Sequence, residues 1–345
     1  MDIIKGMQAI AQNGGISATS GSAQAEFQAL ISGCGVYELG SRAKIKLIGS
    51  DRVRWLNGMV TNNVRDLPVG HGVYAFLLNP QGRILGDLYA YNRGESLWLD
   101  TGQAQVQKIL EVFDHYIIMD DVEVENLNDQ FSATGISGPK SLAVLQSIGL
   151  QVADLQPLGL CEVVWNQIPL TVVRGASEKR ESYEIWSSLE ISQRLLDALA
   201  QTGAHPVHSD TLEVYRIGLG IPRYGQDIRE RDLPQETAQA RALNFSKGCY
   251  VGQEIVERIR SRGAVHRTFT GFMLEGGLPS VGTKVQMDGK DVGEITSVAS
   301  LPLRQGHQAV ALGYIKRESG SPGKEVSVDG RKAVVSELPF KIVFG

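Results

Sequence analysis

Lys247-Gly248-Cys249-Tyr250-Val251-Gly252-Gln253-Glu254 is the most informative stretch of the chain. Glycines stand on both sides of its cysteine, at 248 and 252. Glycine permits backbone angles and close approaches that a Cβ forbids. From Val251 onward, Ile255, Val256 and Ile259 recur at helical spacing, which predicts a helix starting there. Cys249 then stands just before a helix N-terminus and two residues after Lys247. A helix N-terminus and a neighbouring cation both lower a thiol pKa and favour thiolate. Cys249 is therefore a candidate reactive thiol. The residues equally allow a small hydrophobe at the start of a helix.

Outward from this stretch, the other cysteines are Cys34 and Cys161. The number is odd and no C-x-x-C occurs, which excludes a disulfide framework and a zinc ribbon and leaves no metal site to propose. Reduced thiols predict a reducing compartment, the cytoplasm. The 345 residues carry 34 Lys+Arg and 38 Asp+Glu, a net charge of −4, with 42% hydrophobic residues. That composition is far from the disordered class. Length suggests about two or three domains. Weak acidity argues against direct nucleic-acid binding, and no run of about 18 apolar residues exists to span a membrane. Residues 1–25 are rich in Ser, Ala and Gly, lack Arg, and carry neither signal-peptide nor transit-peptide features. They read as a short helix followed by a flexible leader.

From Val36 to Ala264 strands and helices mix without regular βαβ alternation. Lys44–Ile48, Tyr74–Leu78, Arg83–Tyr91 and Ser96–Asp100 read as strands, with a turn at Asn79-Pro80-Gln81-Gly82. Asp51 or Ser50 caps a helix bearing Val53, Leu56, Met59 and Val60. Val106, Ile109, Leu110 and Phe113 mark an amphipathic helix. Phe131–Ile136, Cys161–Trp165, Leu170–Arg174 and Tyr183–Trp186 are further strands, and Leu189–Ala200 and Ser209–Ile217 are helices. Beyond Arg267 come six short strands with Asp-Gly turns at 288–289 and 329–330. This is the signature of a small barrel or sandwich.

Lys247–Glu254 resembles the K-G-C-[FY]-x-G-Q-E signature of YgfZ-type folate-binding proteins, relatives of the glycine cleavage T-protein that serve iron–sulfur enzymes. The resemblance extends over about Gly35–Gly345. Trp55–Val64 resembles the family's F-L-x-G-x-x-T-N-D-V, with Asn63 in place of Asp. Leu78–Ile84 resembles its L-N-x-x-G-x-I hairpin, and Tyr224–Ile228 its Y-G-x-D-I segment. The resemblance implies an α+β fold. A T-protein-like folate-binding body of two interleaved α/β subdomains would cover 26–265, and a small C-terminal β-barrel 268–345.

It also implies a ligand, tetrahydrofolate or a one-carbon-substituted folate. A pterin presents two parallel N–H donors, which a carboxylate accepts. Glu184 matches the glutamate of the family's G-[FY]-E-[IL]; by chemistry alone it could be a strand carboxylate facing solvent. Asp87 matches the second Asp of a D-D pair that assists one-carbon transfer in the T-protein. Tyr74, on the partner strand, could pack against the ligand or only in the core. Arg216 matches the arginine of L-R-x-E-x-G and would meet the folate's carboxylates; Gly218 departs from that pattern. Expected partners are folate and iron–sulfur proteins or cluster carriers, including tRNA-modifying enzymes. The implied role is that of a maintenance factor rather than a conventional enzyme, acting through Cys249, with aminomethyl transfer to tetrahydrofolate as the alternative. The basic stretch Arg258, Arg260, Arg262, His266 and Arg267 could attract RNA phosphates, but it lacks interleaved aromatics and reads rather as a solvated face or an anchor for the folate tail or a partner's acidic patch. His205 and His208 read as loop residues.

Overall fold

The computed structural model describes residues 16–17, 21–152 and 154–344. Most of the expected short helix and leader lies outside the described residues. Its last part does not stay a leader: α1 runs Gly21–Ser32, because Phe27 and Leu30 have a core to enter and are 0% and 1% exposed.

The chain forms two compact units. Among the described residues, the larger comprises those within 25–208 and 228–264, and the smaller those within 16–24, 209–227 and 265–344. The larger unit holds two sheets. One contains β3 (Arg42–Ile48), β4 (His71–Leu78), β5 (Ile84–Asn92), β6 (Leu97–Gly102) and β7 (Glu123–Asn126), in the spatial order β4-β5-β6-β3-β7. Helices α2 (Arg52–Met59) and α3 (Val106–Tyr116) bury Leu56, Met59, Ile109 and Phe113 against it. The other contains β2 (Gly35–Glu38), β8 (Phe131–Ser137), β9 (Leu160–Trp165), β10 (Ile168–Arg174), β11 (Ser182–Ser188) and β12 (His205–Pro206), ordered β12-β2-β8-β11-β10-β9. Helices α4 (Ser141–Ser147) and α5 (Leu189–Gln201) cover it with Val144, Leu145, Leu195 and Leu199. The two sheets meet through an aromatic layer. Trp98 stacks on Trp186 with centroids 5.8 Å apart, and Tyr91 meets Trp186 edge-on at 5.2 Å.

In the smaller unit, β13 (Arg267–Leu274), β14 (Lys284–Met287), β15 (Lys290–Pro302), β16 (His307–Lys316), β17 (Glu325–Val328) and β18 (Arg331–Ser336) close into a six-stranded barrel, β15-β14-β17-β18-β13-β16 and back to β15. Of the two forms the sequence allowed, the closed barrel is the one realised. Strand β1 (Ile16–Ser17) adds in parallel to β15, and α8 (Lys341–Phe344) ends the described chain. The unit also takes α6 (Ser209–Gly218) and the segment to Asp227, which the sequence reading assigned to the body. The reason is a buried acid. At an irregularity in β15, Thr296 and Ser297 hydroxyls donate to Asp227 Oδ1 at 2.5 and 2.7 Å. No helix among the described residues is long and apolar enough to cross a membrane.

Helix α7 (Gln253–Arg262) begins two residues later than its apolar spacing suggests. Gly252 takes φ +82°, a left-handed conformation that ends the turn and lets the helix start, and glycine adopts it without strain. A Cβ there would stand 2.5 Å from Asn79 O and 3.2 Å from Gly82 Cα. The signature and the β4–β5 turn therefore touch backbone to backbone. Gly252→Ala is expected to destabilise the larger unit by about 1–3 kcal/mol, read as a lowered melting temperature. An unchanged one counts against this packing.

Candidate functional site

Alternation along β5 puts Asp87, Tyr89 and Tyr91 on one face, as strand pleating requires. Register then extends that face across the sheet: Tyr74 stands opposite Tyr89, Tyr89 opposite Asp100, and Asp100 opposite Lys44. One row of side chains crosses four strands.

Asp87 is held from four directions. Tyr74 Oη donates to Oδ2 at 2.7 Å, and Gln105 Nε2 donates to Oδ1 at 2.7 Å. Gln105 Oε1 accepts the Asp87 N–H at 2.9 Å, and Thr101 Oγ1 donates to the Asp87 carbonyl at 2.7 Å. Both carboxylate oxygens therefore have a protein donor. Burial, with Asp87 and Tyr89 adjacent, lifts the Tyr74 phenol well above its ordinary range, so it stays a donor.

Asp100 is 1% exposed and carries two cations. Arg42 Nε reaches its oxygens at 3.1 and 3.2 Å, and Lys44 Nζ reaches Oδ1 at 2.6 Å. Burial alone would raise the Asp100 pKa; Arg42 and Lys44 outweigh it and hold the carboxyl below its usual range. Lys44 Nζ also sits 4.5 Å over the Trp186 ring. On β11, Trp186 Nε1 donates to Glu184 Oε2 at 3.1 Å. Glu184 Oε1 accepts no hydrogen bond among the described residues. Burial, and next the charge of Asp100, raise the Glu184 pKa despite Lys44 and Arg42. Glu184 is thus a desolvated carboxyl with acceptor capacity left over.

The signature differs from its sequence reading in one respect. Lys247 does not lend its charge to the thiol. Its Nζ donates to the carbonyls of Asn57 at 2.6 Å, Val60 at 2.6 Å and Asn62 at 2.7 Å. An ammonium has three N–H donors, and all are occupied at the end of α2. Desolvation pushes Lys247 down to about 7. Its role is to pin the loop. Tyr250, 8% exposed, is buried beside it with the ammonium 5.0 Å from the ring. Cys249 is exposed, Cys161 half-buried and Cys34 buried. A Cβ at Gly248 would meet nothing within 4 Å, so the approach that Gly248 permits is left to the outside. Gln253 and Glu254 form the first turn of α7.

Arg216 has a different set of partners from the one expected. It belongs to the smaller unit, and its five N–H donors have five acceptors. Nε and Nη2 hold Glu213 at 2.9 and 2.7 Å; Nη1 holds Asp227 at 2.8 Å and the Ile221 carbonyl; Nη2 also reaches Ser297 at 3.0 Å. A guanidinium offers five donors, so none is left for a folate carboxylate in this arrangement. Tyr74, Asp87 and Glu184 do share a unit, together with residues that the sequence reading passed over: Arg42, Lys44, Asp100, Trp186 and Arg241. The run Leu97-Trp98-Leu99-Asp100 held a signal, an acid closing a buried apolar strand. Arg241 held none. Its guanidinium lies 4.7 Å over the Tyr74 ring and donates to Tyr89 Oη at 3.3 Å. Elsewhere, His208 Nδ1 pairs with Glu26 at 2.8 Å, and Arg260 stacks on Phe245 at 4.4 Å.

The family model described as the GCVT N-terminal domain matches residues 12–247. An Arabidopsis thaliana protein, provisionally named a chloroplastic transferase, is 28% identical over 309 residues, 88% of this chain and 71% of that one. The aminomethyltransferase of Rippkaea orientalis is 27% identical over 333 residues, 91% and 88% of the two chains. The crystal structure of glycine cleavage system aminomethyltransferase T from Bartonella henselae superposes with a TM-score of 0.82 at 21% identity, covering 93% of this chain and 90% of that one. The two chains share the T-protein fold.

Proposed function

We propose a function from the premise that this chain belongs to the GCVT N-terminal domain family: it binds tetrahydrofolate and uses the exposed thiol of Cys249 to help maintain iron–sulfur enzymes, tRNA-modifying ones among them. The observation that carries the folate half is Glu184, a desolvated carboxyl whose Oε1 has no partner among the described residues and whose pKa is raised. A half-buried acceptor with spare capacity is a place for donors from a ligand. The parallel N–H edge of a pterin supplies two, and binding them would favour the ionised form of Glu184.

The residues fit the group. Trp186 Nε1 fixes one Glu184 oxygen, so the carboxylate plane is set before the ligand arrives. Buried Tyr74 and half-buried Tyr89 pack their rings together beside Asp87, with centroids 4.9 Å apart. Bound folate supplies ring nitrogens able to carry a one-carbon unit. Asp87, with Tyr74 and Gln105 on its two oxygens, is a fixed negative charge that would orient those nitrogens.

The thiol half rests on the signature. Lys247 and Gly252 fix the loop on either side of Cys249 and leave the sulfur in solvent, where a partner protein can reach it. One cysteine does not hold a cluster, which needs about four protein ligands, so cluster chemistry at Cys249 requires a partner, glutathione or a transient bridge. The cytoplasm is the compartment we assign, where free thiols persist.

Aminomethyl transfer to tetrahydrofolate is the second reading, favoured by the names of the relatives. One experiment separates the two. In a strain lacking its YgfZ-type protein, this chain and Cys161→Ala are expected to restore iron–sulfur enzyme activity, and Cys249→Ala to restore none. Rescue by Cys249→Ala removes the thiol from the function. Methylenetetrahydrofolate formation with aminomethylated lipoyl carrier protein, lost in Asp87→Asn, establishes the second reading instead.

A further inference from the structure

The larger unit lines up its chemistry with a polarity. Four rings follow one another by contact: Trp186 to Tyr91 at 5.2 Å, Tyr91 to Tyr89 at 6.4 Å, and Tyr89 to Tyr74 at 4.9 Å. At the Trp186 end stands the acceptor Glu184. At the Tyr74 end stands a cation. Arg241 lies 4.7 Å over Tyr74 and 6.0 Å over Tyr89. Its side chain is exposed, and its position is fixed by backbone as well as rings, since Asn62 Nδ2 donates to the Arg241 carbonyl at 2.8 Å. Nε reaches Gln239 and Nη2 reaches Tyr89 Oη, each at 3.3 Å. The Nη1 donors and one on Nη2 have no partner among the described residues. A stacked guanidinium with free fork donors is a preformed carboxylate receptor.

The geometry points to Arg241 as the residue that binds the glutamate tail of the folate, the role that Arg216, with all five donors occupied, does not fill in this arrangement. This rests on the folate reading above and adds to it the residue that sets the preference for a carboxylated ligand. The ligand's donor edge meets Glu184, its rings lie toward the tyrosines, and its anionic tail emerges at Arg241.

The test is calorimetric titration of the full chain with two probes, tetrahydrofolate and 6-methyltetrahydropterin, which keeps the donor edge and lacks the tail. The wild type is expected to bind tetrahydrofolate more tightly, with an affinity that falls as salt is added. Arg241→Ala is expected to weaken tetrahydrofolate about tenfold or more, as loss of a charge-assisted hydrogen bond predicts, to flatten the salt dependence, and to leave the pterin affinity unchanged. Arg241→Lys, which keeps the charge and loses the fork, is expected to fall between. Equal binding of the two probes by the wild type overturns the assignment and leaves the folate reading standing. So does an equal loss for both probes in Arg241→Ala, since that marks a change in the rings rather than in the tail site. Absence of binding by either probe to the wild type overturns the folate reading itself.

Discussion

Glu184→Ala is expected to lower the affinity for tetrahydrofolate by about a hundredfold or more. Two charge-assisted hydrogen bonds are lost, each contributing about 1.5–3 kcal/mol, and about 1.4 kcal/mol is a factor of ten. Glu184→Gln sharpens the test. It keeps the shape and one acceptor, and turns an NH2 toward a donor edge. It should bind nearly as poorly as alanine while folding better than the wild type. The reason lies in the sign of the pKa shift. Burial and the neighbouring Asp100 raise the Glu184 pKa in the folded chain. Between its ordinary value and the raised one, the folded state holds more protons than the unfolded state. Stability therefore falls as pH rises through that window. Above that window the ionised side chain opposes folding, and glutamine removes that cost. The melting-temperature advantage of Glu184→Gln should shrink on acidification, once both states are protonated in the wild type. An advantage that grows toward low pH, or wild-type affinity in either variant, removes Glu184 from the site.

The largest loss of stability is expected from Asp100→Ala. Lys44 and Asp100 are 3% and 1% exposed, and Arg42 shares the same carboxylate. Truncation leaves buried Lys44 without its counter-ion and facing half-buried Arg42, and breaking a buried pair this way costs about 3–5 kcal/mol. Thermal unfolding should show it, and the pH dependence should identify the cause. Burial opposes ionisation of Asp100, yet Arg42 and Lys44 hold its pKa below the ordinary value. Its contribution is therefore present above the ordinary carboxylate range and lost as pH falls through the depressed value. That acid limb should be missing from the variant. A second consequence concerns its neighbour. Without Asp100, Glu184 loses its like charge and keeps Lys44 and Arg42 nearby, so its pKa should drop. A variant as stable as the wild type, with the acid limb intact, refutes the network.

The elements of the fold were legible because they obey local rules. The hairpin around Asn79–Gly82 lies in the turn residues, and α3 lies in the spacing of Val106, Ile109 and Phe113. The six barrel strands lie in alternation and Asp-Gly turns. Strand β7 was illegible because Glu123–Asn126 carries three polar residues of four and is defined by its pairing with β3. The start of α7 was misread because apolar spacing continues through Val251, whereas the positive φ of Gly252 breaks the helix.

For the site, the sequence by itself determined the outstanding candidates: a cysteine between glycines, and Glu184, Asp87 and Tyr74 on strands. Residue type and local period mark the cysteine; Glu184, Asp87 and Tyr74 come from the family resemblance of the motifs around them. Which partner each side chain takes was decided only in three dimensions. Lys247, two residues from Cys249, gives its donors to carbonyls almost two hundred positions earlier in the chain, at 57, 60 and 62. Arg216 gives its own to Glu213, Asp227 and Ser297. Arg241 comes over Tyr74 from far along the chain. Hydrogen bonds and ion pairs act within a few ångströms, and the distances that matter to them are set by strand register and not by sequence separation. A charged residue's partner is therefore unreadable until the sheets are assembled.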